Sequence, residues 1–339
     1  MPWTPYGLTF TRDGSRLAIG GGGWYGGGGI SLVDPASGHS AVETCGGEAT
    51  QNWSEYLTVS GVCFAPDDRH LVATTWSAGH HLGPTLLYEV DGLRLRFVDR
   101  LTPPSRDDRD ATPTGGLMHG GQVVLRLRGW GSTGIGVGDV AAEFGVDTAA
   151  GAPHLTGHRL VVVDAVAYTG AGSHVLALGL SGAEARTIPV SGTRRVTAIA
   201  ATAEGQLVTG GDDGELDVWR PFPDELQERR IREPLTGAAP VLDAVWATYT
   251  WRSVVGICSL GDGRQMAGVT AGGLLTVWQI DDPITTMRSM QLPVPGSPRA
   301  IAARARTDTI AVAIKQRSGA LGSGAVLLIR PPRSRAWAP

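Results

Sequence analysis

The sequence predicts an all-β fold assembled from one repeated unit of short antiparallel strands. Two observations carry that expectation. First, Val196–Trp219 and Val255–Trp278 run through the same series: a strand, a turn at Glu204-Gly205 or Asp262-Gly263, a second strand, a glycine-containing turn, and a third strand ending in Val-Trp. Small or apolar residues alternate along both segments between closely spaced turn signals, a pattern for strands rather than helices. Second, glycine accounts for 49 of 339 residues, roughly twice ordinary usage. Glycine reaches positive φ at little steric cost, so this excess suits a chain of many tight hairpins.

Weaker copies fill the rest of the chain in order. The first unit, from near residue 6, holds strands around Asp13-Gly14, a glycine-rich loop, then Ile30–Asp34. The second, from near 60, turns at Pro66-Asp67-Asp68 and ends in Leu86–Asp91. The third and fourth, from near 114 and 152, are degenerate, with strands predicted at Val123–Arg128, Ile135–Val140, Leu160–Asp164 and Val175–Leu180. The fifth and sixth, from near 196 and 254, are the two clear copies, and the seventh, from near 299, ends in Ala325–Arg330. Residues 221–253 form an insertion between units five and six. Ile231–Leu235 is the predicted outer strand of the fifth unit, with the remainder, including Asp224–Arg230, a short helix or a lid.

Seven units at this spacing match the ~40–45 residues of a WD40-type propeller blade. On these residues the chain resembles the WD40 family of β-propellers, most closely at Gly210–Trp219 and next at Thr270–Trp278. The resemblance implies one domain over residues 1–339: a seven-bladed propeller of four-stranded antiparallel blades, closed radially so that pairing edges are hidden. The family's Gly-His ahead of each blade and its terminal Trp-Asp pair are mostly missing; Trp219 is followed by Arg220 and Trp278 by Gln279. Ser334–Pro339 is the segment assigned to the last outer strand.

Composition narrows the functional classes. A net charge of −3 argues against a nucleic-acid protein, which presents a basic stripe. No apolar run approaches the ~18 residues of a spanning helix, and the first residues carry no secretory pattern. Cys45, Cys63 and Cys258 lie too far apart for a disulfide framework or a zinc knuckle. These features together predict a cytoplasmic location. Lys315 is the only lysine. Such a bias toward arginine reads as the codon usage of a GC-rich genome, and no ligand is read from it.

No nucleophile elbow, phosphate loop or zinc-protease motif is present. Gly20–Gly23 and Gly26–Gly29 lead into a strand, whereas a phosphate loop leads into a helix. Neighbouring residues on an extended chain point opposite ways, so His80 and His81 read as loop histidines and not a chelating pair. Asp212-Asp213, Asp262 and Asp281-Asp282 sit where carboxylates bond local backbone amides. The informative feature is loop length. Units five and six join their second and third strands tightly, whereas units seven, one, two and three use Gln316–Gly324, Gly20–Gly29, Trp76–Pro84 and Gly129–Gly134. In the WD40 family these connections share the narrower, top face, so the long ones would form one arc. Trp24, Tyr25, Trp76, His80, His81, Trp130 and Arg317 lie on it, and Trp53 and Tyr56 lie on the connection after the first unit. Aromatics and arginine are the types enriched in binding hot spots.

The resemblance therefore implies a non-enzymatic scaffold or sensor subunit: a monomeric propeller, without cofactor, that binds a protein partner through the top face of blades 7, 1, 2 and 3. Bacterial propellers of this kind accompany signalling or defence ATPases and other multi-subunit assemblies. Two alternatives stand beside it: a propeller lyase or lactonase, and a small-ligand or glycan binder that stacks its ligand on the same tryptophans.

Overall fold

The strand pattern resolves into seven antiparallel sheets in a computed structural model that describes residues 3–23, 27–44, 57–77, 83–101, 112–119, 122–128, 132–137, 140–146, 160–180, 185–190, 195–221, 226–231, 252–261, 263–280, 285–293, 296–304, 307–316 and 323–330. Blade 1 comprises β1 (Thr4–Phe10), β2 (Leu17–Gly22), β3 (Gly29–Val33) and β4 (Ser40–Thr44); blade 2 comprises β5 (Leu57–Phe64), β6 (His70–Ser77), β7 (Thr85–Asp91) and β8 (Arg94–Leu101). Blade 3 holds β9 (Thr112–His119), β10 (Gln122–Arg128), β11 (Ser132–Val137) and β12 (Val140–Val146). Blade 4 holds β13 (Leu160–Val163), β14 (Val166–Ala171), β15 (His174–Gly179) and β16 (Ala185–Pro189). Blade 5 is β17 (Val196–Ala201), β18 (Leu207–Gly211), β19 (Leu216–Pro221) and β20 (Leu226–Ile231); blade 6 is β21 (Val254–Leu260), β22 (Gln265–Thr270), β23 (Leu274–Gln279) and β24 (Thr285–Gln291). Blade 7 shows three strands among the described residues, β25 (Gly296–Ala303), β26 (Ile310–Gln316) and β27 (Gly324–Ile329). Ser334–Pro339 lies outside the described residues.

Within each sheet the strands follow chain order, and first strands touch their counterparts in neighbouring blades. Such contacts run from β1 to β5, onward through β9, β13, β17, β21 and β25, and return from β25, β26 and β27 to β1. The ring is closed. First strands are therefore innermost, and burial follows: β1 is buried along almost its whole length, while Arg94, Arg96, Val98 and Arg100 of the outer strand β8 are exposed. A charged outer strand resists edge-to-edge pairing. The core lies in the seams. Ala18, Ile30 and Leu32 of blade 1 pack with Leu71, Ala73 and Leu86 of blade 2, and Val255 and Val269 of blade 6 pack with Ile301 and Val312 of blade 7.

On the face carrying the first turn of each blade, the turns lean on one another. A Cβ at Gly14 would strike the Arg304 side chain of blade 7, and one at Gly263 would strike Ala203 of blade 5. Both glycines hold positive φ. Blade 2 places Asp68 at the equivalent turn with φ 56°, a conformation uncommon for a non-glycine residue. Its carboxylate compensates by accepting the Arg12 backbone N–H of blade 1 at 2.8 and 3.0 Å.

Trp219 and Trp278 are each 2% exposed, as blade-packing residues should be. They stand at the same repeat position, opposite Leu207 and Met266, but are accommodated differently. In blade 5 the Trp219 indole N–H donates to Thr209 Oγ1 at 2.9 Å. In blade 6 the equivalent residue is Gly268, and a Cβ there would lie 2.8 Å from the Trp278 ring. One blade hydrogen-bonds the indole; the next makes room for it.

Two strand assignments need correction. Ile135–Val140 is not one strand: Val137 and Val140 pair with each other across the reversal from β11 to β12. The fourth strand of blade 5 is Leu226–Ile231 rather than Ile231–Leu235, so part of the run read as a short helix or a lid belongs to the sheet. Its polar interior, Gln-Glu-Arg-Arg, suits an outer strand paired on one side only. Among the described residues no helix is long and apolar enough to cross a membrane.

Candidate functional site: the upper rim of blades 7, 1 and 2

In a ring of antiparallel sheets, the connections between second and third strands share one face with the crossings from blade to blade. Around that face the second-to-third connections are unequal. They span residues 317–323, 23–28 and 78–84 in blades 7, 1 and 2, against 129–131, 172–173, 212–215 and 271–273 in blades 3 to 6. The long arc thus covers three adjacent blades. Blade 3 leaves the predicted set, because Arg128 still pairs with Thr133 and the strands extend into what was read as loop.

The short rims are bonded tightly. Val196 N–H donates to Gly172 O, tying blade 5 to blade 4. Asp212 Oδ1 accepts the Arg195 N–H at 3.1 Å, and Ser253 Oγ donates to Asp212 O at 3.0 Å. Burial, then the adjacent Asp213 charge, push the Asp212 carboxyl above its ordinary value despite the Arg195 bond. Asp213 Oδ1 likewise accepts the Glu215 N–H at 3.0 Å, so this pair serves its turn as predicted; Asp262, Asp281 and Asp282 lie outside the described residues.

Beneath the long arc the glycines have a packing role. A Cβ at Gly20 would lie 2.5 Å from Val59 of β5, one at Gly22 would lie 2.6 Å from Thr58, and one at Gly29 would lie 2.9 Å from the Trp3 ring. Gly28 N–H donates to Leu57 O at 2.5 Å. The glycine run is thus a fixed stem wedged between blades 1 and 2. Blade 2 anchors its own stem by Thr75 Oγ1 donating to Pro84 O at 2.6 Å, and blade 7 by Gln316 N–H donating to Ser323 O at 3.2 Å. Trp3, 7% exposed, lies across Gly21 and Gly29 while its carbonyl abuts Gly324, joining blade 7 to blade 1.

Of the sequence-predicted contact residues, only Trp76 is described. It sits in β6 opposite Thr58 and is buried at 7% exposure, not displayed on a loop. By strand alternation it continues the face of Val72 and Thr74, which abut Gly116 of β9, and so lines the seam between blades 2 and 3. Trp24, Tyr25, Trp53, Tyr56, His80, His81, Trp130 and Arg317 lie outside the described residues. Sequence reading missed Trp3, whose place at the start of the chain carries no periodic signal. Among the described residues no group of three His, Cys, Asp or Glu side chains could hold a metal ion. His70 instead pairs with Asp67 at 2.7 Å on the opposite face.

Comparison with solved structures settles the architecture. The WD40 repeats of RRP9 superpose with a TM-score of 0.66 at 13% identity, covering 97% of this chain and 96% of that one. The fold is that of a WD40-like β-propeller. U3-55K gives a TM-score of 0.65 at 14% identity over 97% and 96% of the two chains. The β-propeller domain of Cps50 (Swd1) from Myceliophteria thermophila gives 0.60 at 15% identity over 92% and 93%. A chain of the Mitotic Checkpoint Complex matches at 0.61 with 11% identity. No family model and no curated protein matches the propeller. Identities this low establish the fold alone.

Proposed function

We propose that the propeller is a non-enzymatic interaction module that docks a protein partner on the upper rim of blades 7, 1 and 2. The observation that carries this reading is the asymmetry of the rim. Blades 3 to 6 close with short connections, whereas three adjacent blades extend longer ones from stems fixed by glycine packing and backbone bonds. A rigid ring holding several loops side by side is suited to recognition, because the loops need little ordering upon binding. Trp24, Tyr25, His80, His81 and Arg317 fall in these connections, with Trp53 and Tyr56 on the crossing from blade 1 to blade 2 and Trp130 in the adjoining blade. Trp76 supports the arc from within the seam. One structural neighbour is part of a multi-protein assembly, the Mitotic Checkpoint Complex; by analogy this propeller is one subunit of a cytoplasmic bacterial complex, with a signalling or defence ATPase as a candidate partner.

The test is affinity capture from the native host with wild type and a Trp24→Ala/Tyr25→Ala variant of matched circular dichroism. A partner held by wild type and lost by the variant supports the reading. A partner retained equally by both moves the interface elsewhere, with 221–253 the next segment to test.

A further inference from the structure

Blade 7 differs from the other six sheets at its outer side. The others have four strands, whereas β27 pairs with β26 alone among the described residues, which leaves its outer edge without a ladder partner. Burial follows this difference. Register sets Leu328 opposite Ala311, just as Leu32 stands opposite Ala18, Val218 opposite Val208 and Val277 opposite Ala267. Leu32, Val218 and Val277 each belong to a third strand paired with a fourth, and all three are buried; Leu328 is 45% exposed.

Leu328 is turned toward blade 1. Along β27, Leu327 and Ile329 pack into the core shared by blades 6 and 7, while Val326 packs into the core shared by blades 7 and 1. By alternation Leu328 takes the face of Val326. On blade 1, Val33 packs into that same core, and Val42 of β4, opposite Ser31, takes the face of Val33. Val42 is 55% exposed. Two of the three exposed large hydrophobic side chains among the described residues therefore stand on facing walls of one outer groove, between β27 of blade 7 and β4 of blade 1.

The chain continues beyond Arg330 through nine residues, Pro331–Pro339. Pro331 and Pro332 have no N–H to give a ladder, so they suit a connection and not a continued strand. In the other blades the connection from third to fourth strand spans between two residues (92–93) and six (34–39). A connection over 330–333 falls within that range and leaves Ser334–Ala338, five residues, as many as β4 and β16 contain. Alternation then sets Arg335 and Trp337 on one face and Ser334, Ala336 and Ala338 on the other. With Trp337 toward blade 1, a large apolar side chain meets the groove; the opposite phase presents only small residues and leaves Val42 and Leu328 in water. We propose that this outer groove is the docking site of the chain's own C-terminal segment. Ser334–Ala338 adds to β27 as an antiparallel strand, and Trp337 fills the space between Val42 and Leu328, latching the last blade onto the first. An unpaired edge with exposed apolar residues is otherwise a template for other chains, and a segment tethered this closely competes for it at high effective concentration. The latch lies on the outer wall, apart from the upper rim, and stands whether or not that rim docks a partner.

Hydrogen–deuterium exchange on the isolated whole chain tests the latch. In wild type, amides of 334–338 should be protected, and those of 324–330 should exchange as slowly as the equivalent 274–279 of blade 6. Trp337→Ala should accelerate both 324–330 and 334–338 by about tenfold or more, while 254–260 of the inner strand β21 keeps its wild-type rate. Should Trp337→Ala fail to fold, Val42→Ser replaces it: the substituted side chain is largely exposed, and loss of the opposite wall should accelerate 334–338 in the same direction. Unprotected amides at 334–338 in wild type, or rates unchanged by the substitution, overturn the proposal. Protection of 324–330 that rises with protein concentration while 334–338 exchanges freely also overturns it, and identifies a second copy of the chain as the occupant of the edge.

Discussion

At the residue scale, the two tryptophans make a pair of predictions at one repeat position, each by a different mechanism. Thr209→Val removes the acceptor of a buried indole N–H and should cost about 1–3 kcal/mol, the penalty of an unsatisfied buried donor. Adding a hydroxyl side chain at the equivalent position of blade 6, Gly268→Thr, should also destabilise, since even a Cβ there meets the Trp278 ring at 2.8 Å. Urea denaturation of both variants checks this pair; tolerance of Gly268→Thr would show that the indole has room to move. Asp212 supplies a prediction in pH. Its folded pKa is raised, so the ionised carboxylate costs stability at neutral pH, and that cost is relieved as pH falls through the folded value. Asp212→Asn keeps an acceptor for Arg195 and removes the charge. It should be neutral or stabilising at pH 7, by no more than about 1 kcal/mol given partial exposure, with the difference vanishing in acid.

Asp13 behaves oppositely. Its carboxylate accepts the Ser15 N–H and the Thr11 hydroxyl, which hold its pKa down to about 2. Its contribution is present above the unfolded value, near 3.8, and is lost between there and the folded one. Thermal melts of Asp13→Ala and wild type should converge as pH falls toward that lower limit.

At the element scale, the glycine-rich connection of blade 1 was legible as a hairpin but not as a packed stem. Sequence shows which residues lack a side chain; it does not show what approaches them. Gly20 meets Val59, separated from it by a whole blade crossing, and no local pattern encodes that contact. Gly20→Ala should therefore cost roughly 1–3 kcal/mol by overpacking. Gly38→Ala, where nothing lies within 4 Å, meets only the strain of positive φ. Gly20 is not among the positive-φ glycines, so a Gly20→Ala variant as stable as wild type would refute the stem. Trp76 was misplaced for a related reason: a tryptophan beside Ser-Ala-Gly-His-His reads as loop, yet the strand runs one residue past it. The short blade 3 connection was misjudged because glycines at 129, 131 and 134 resemble loop, whereas Gly134 pairs with Leu127 inside the sheet.

At the scale of the whole molecule, seven units, the all-β class and the ring were readable because turn residues and alternating strands recur along the chain. The β-bulges of the inner strands were not, since Tyr6 and Arg299 become equivalent only once register aligns them with Ser60 and Thr197. The molecule that results has a first-turn face locked by contacts such as Asp68 with Arg12, and a rim that is tightly bonded over blades 4 to 6 but extended over blades 7, 1 and 2.

The most direct measurement is hydrogen–deuterium exchange on the propeller with and without its captured partner. Protection concentrated in peptides covering 20–30, 76–85 and 314–325 is the predicted outcome. Protection centred on the first-turn face, around 11–16 and 65–70, would contradict the assignment of the rim as the docking surface.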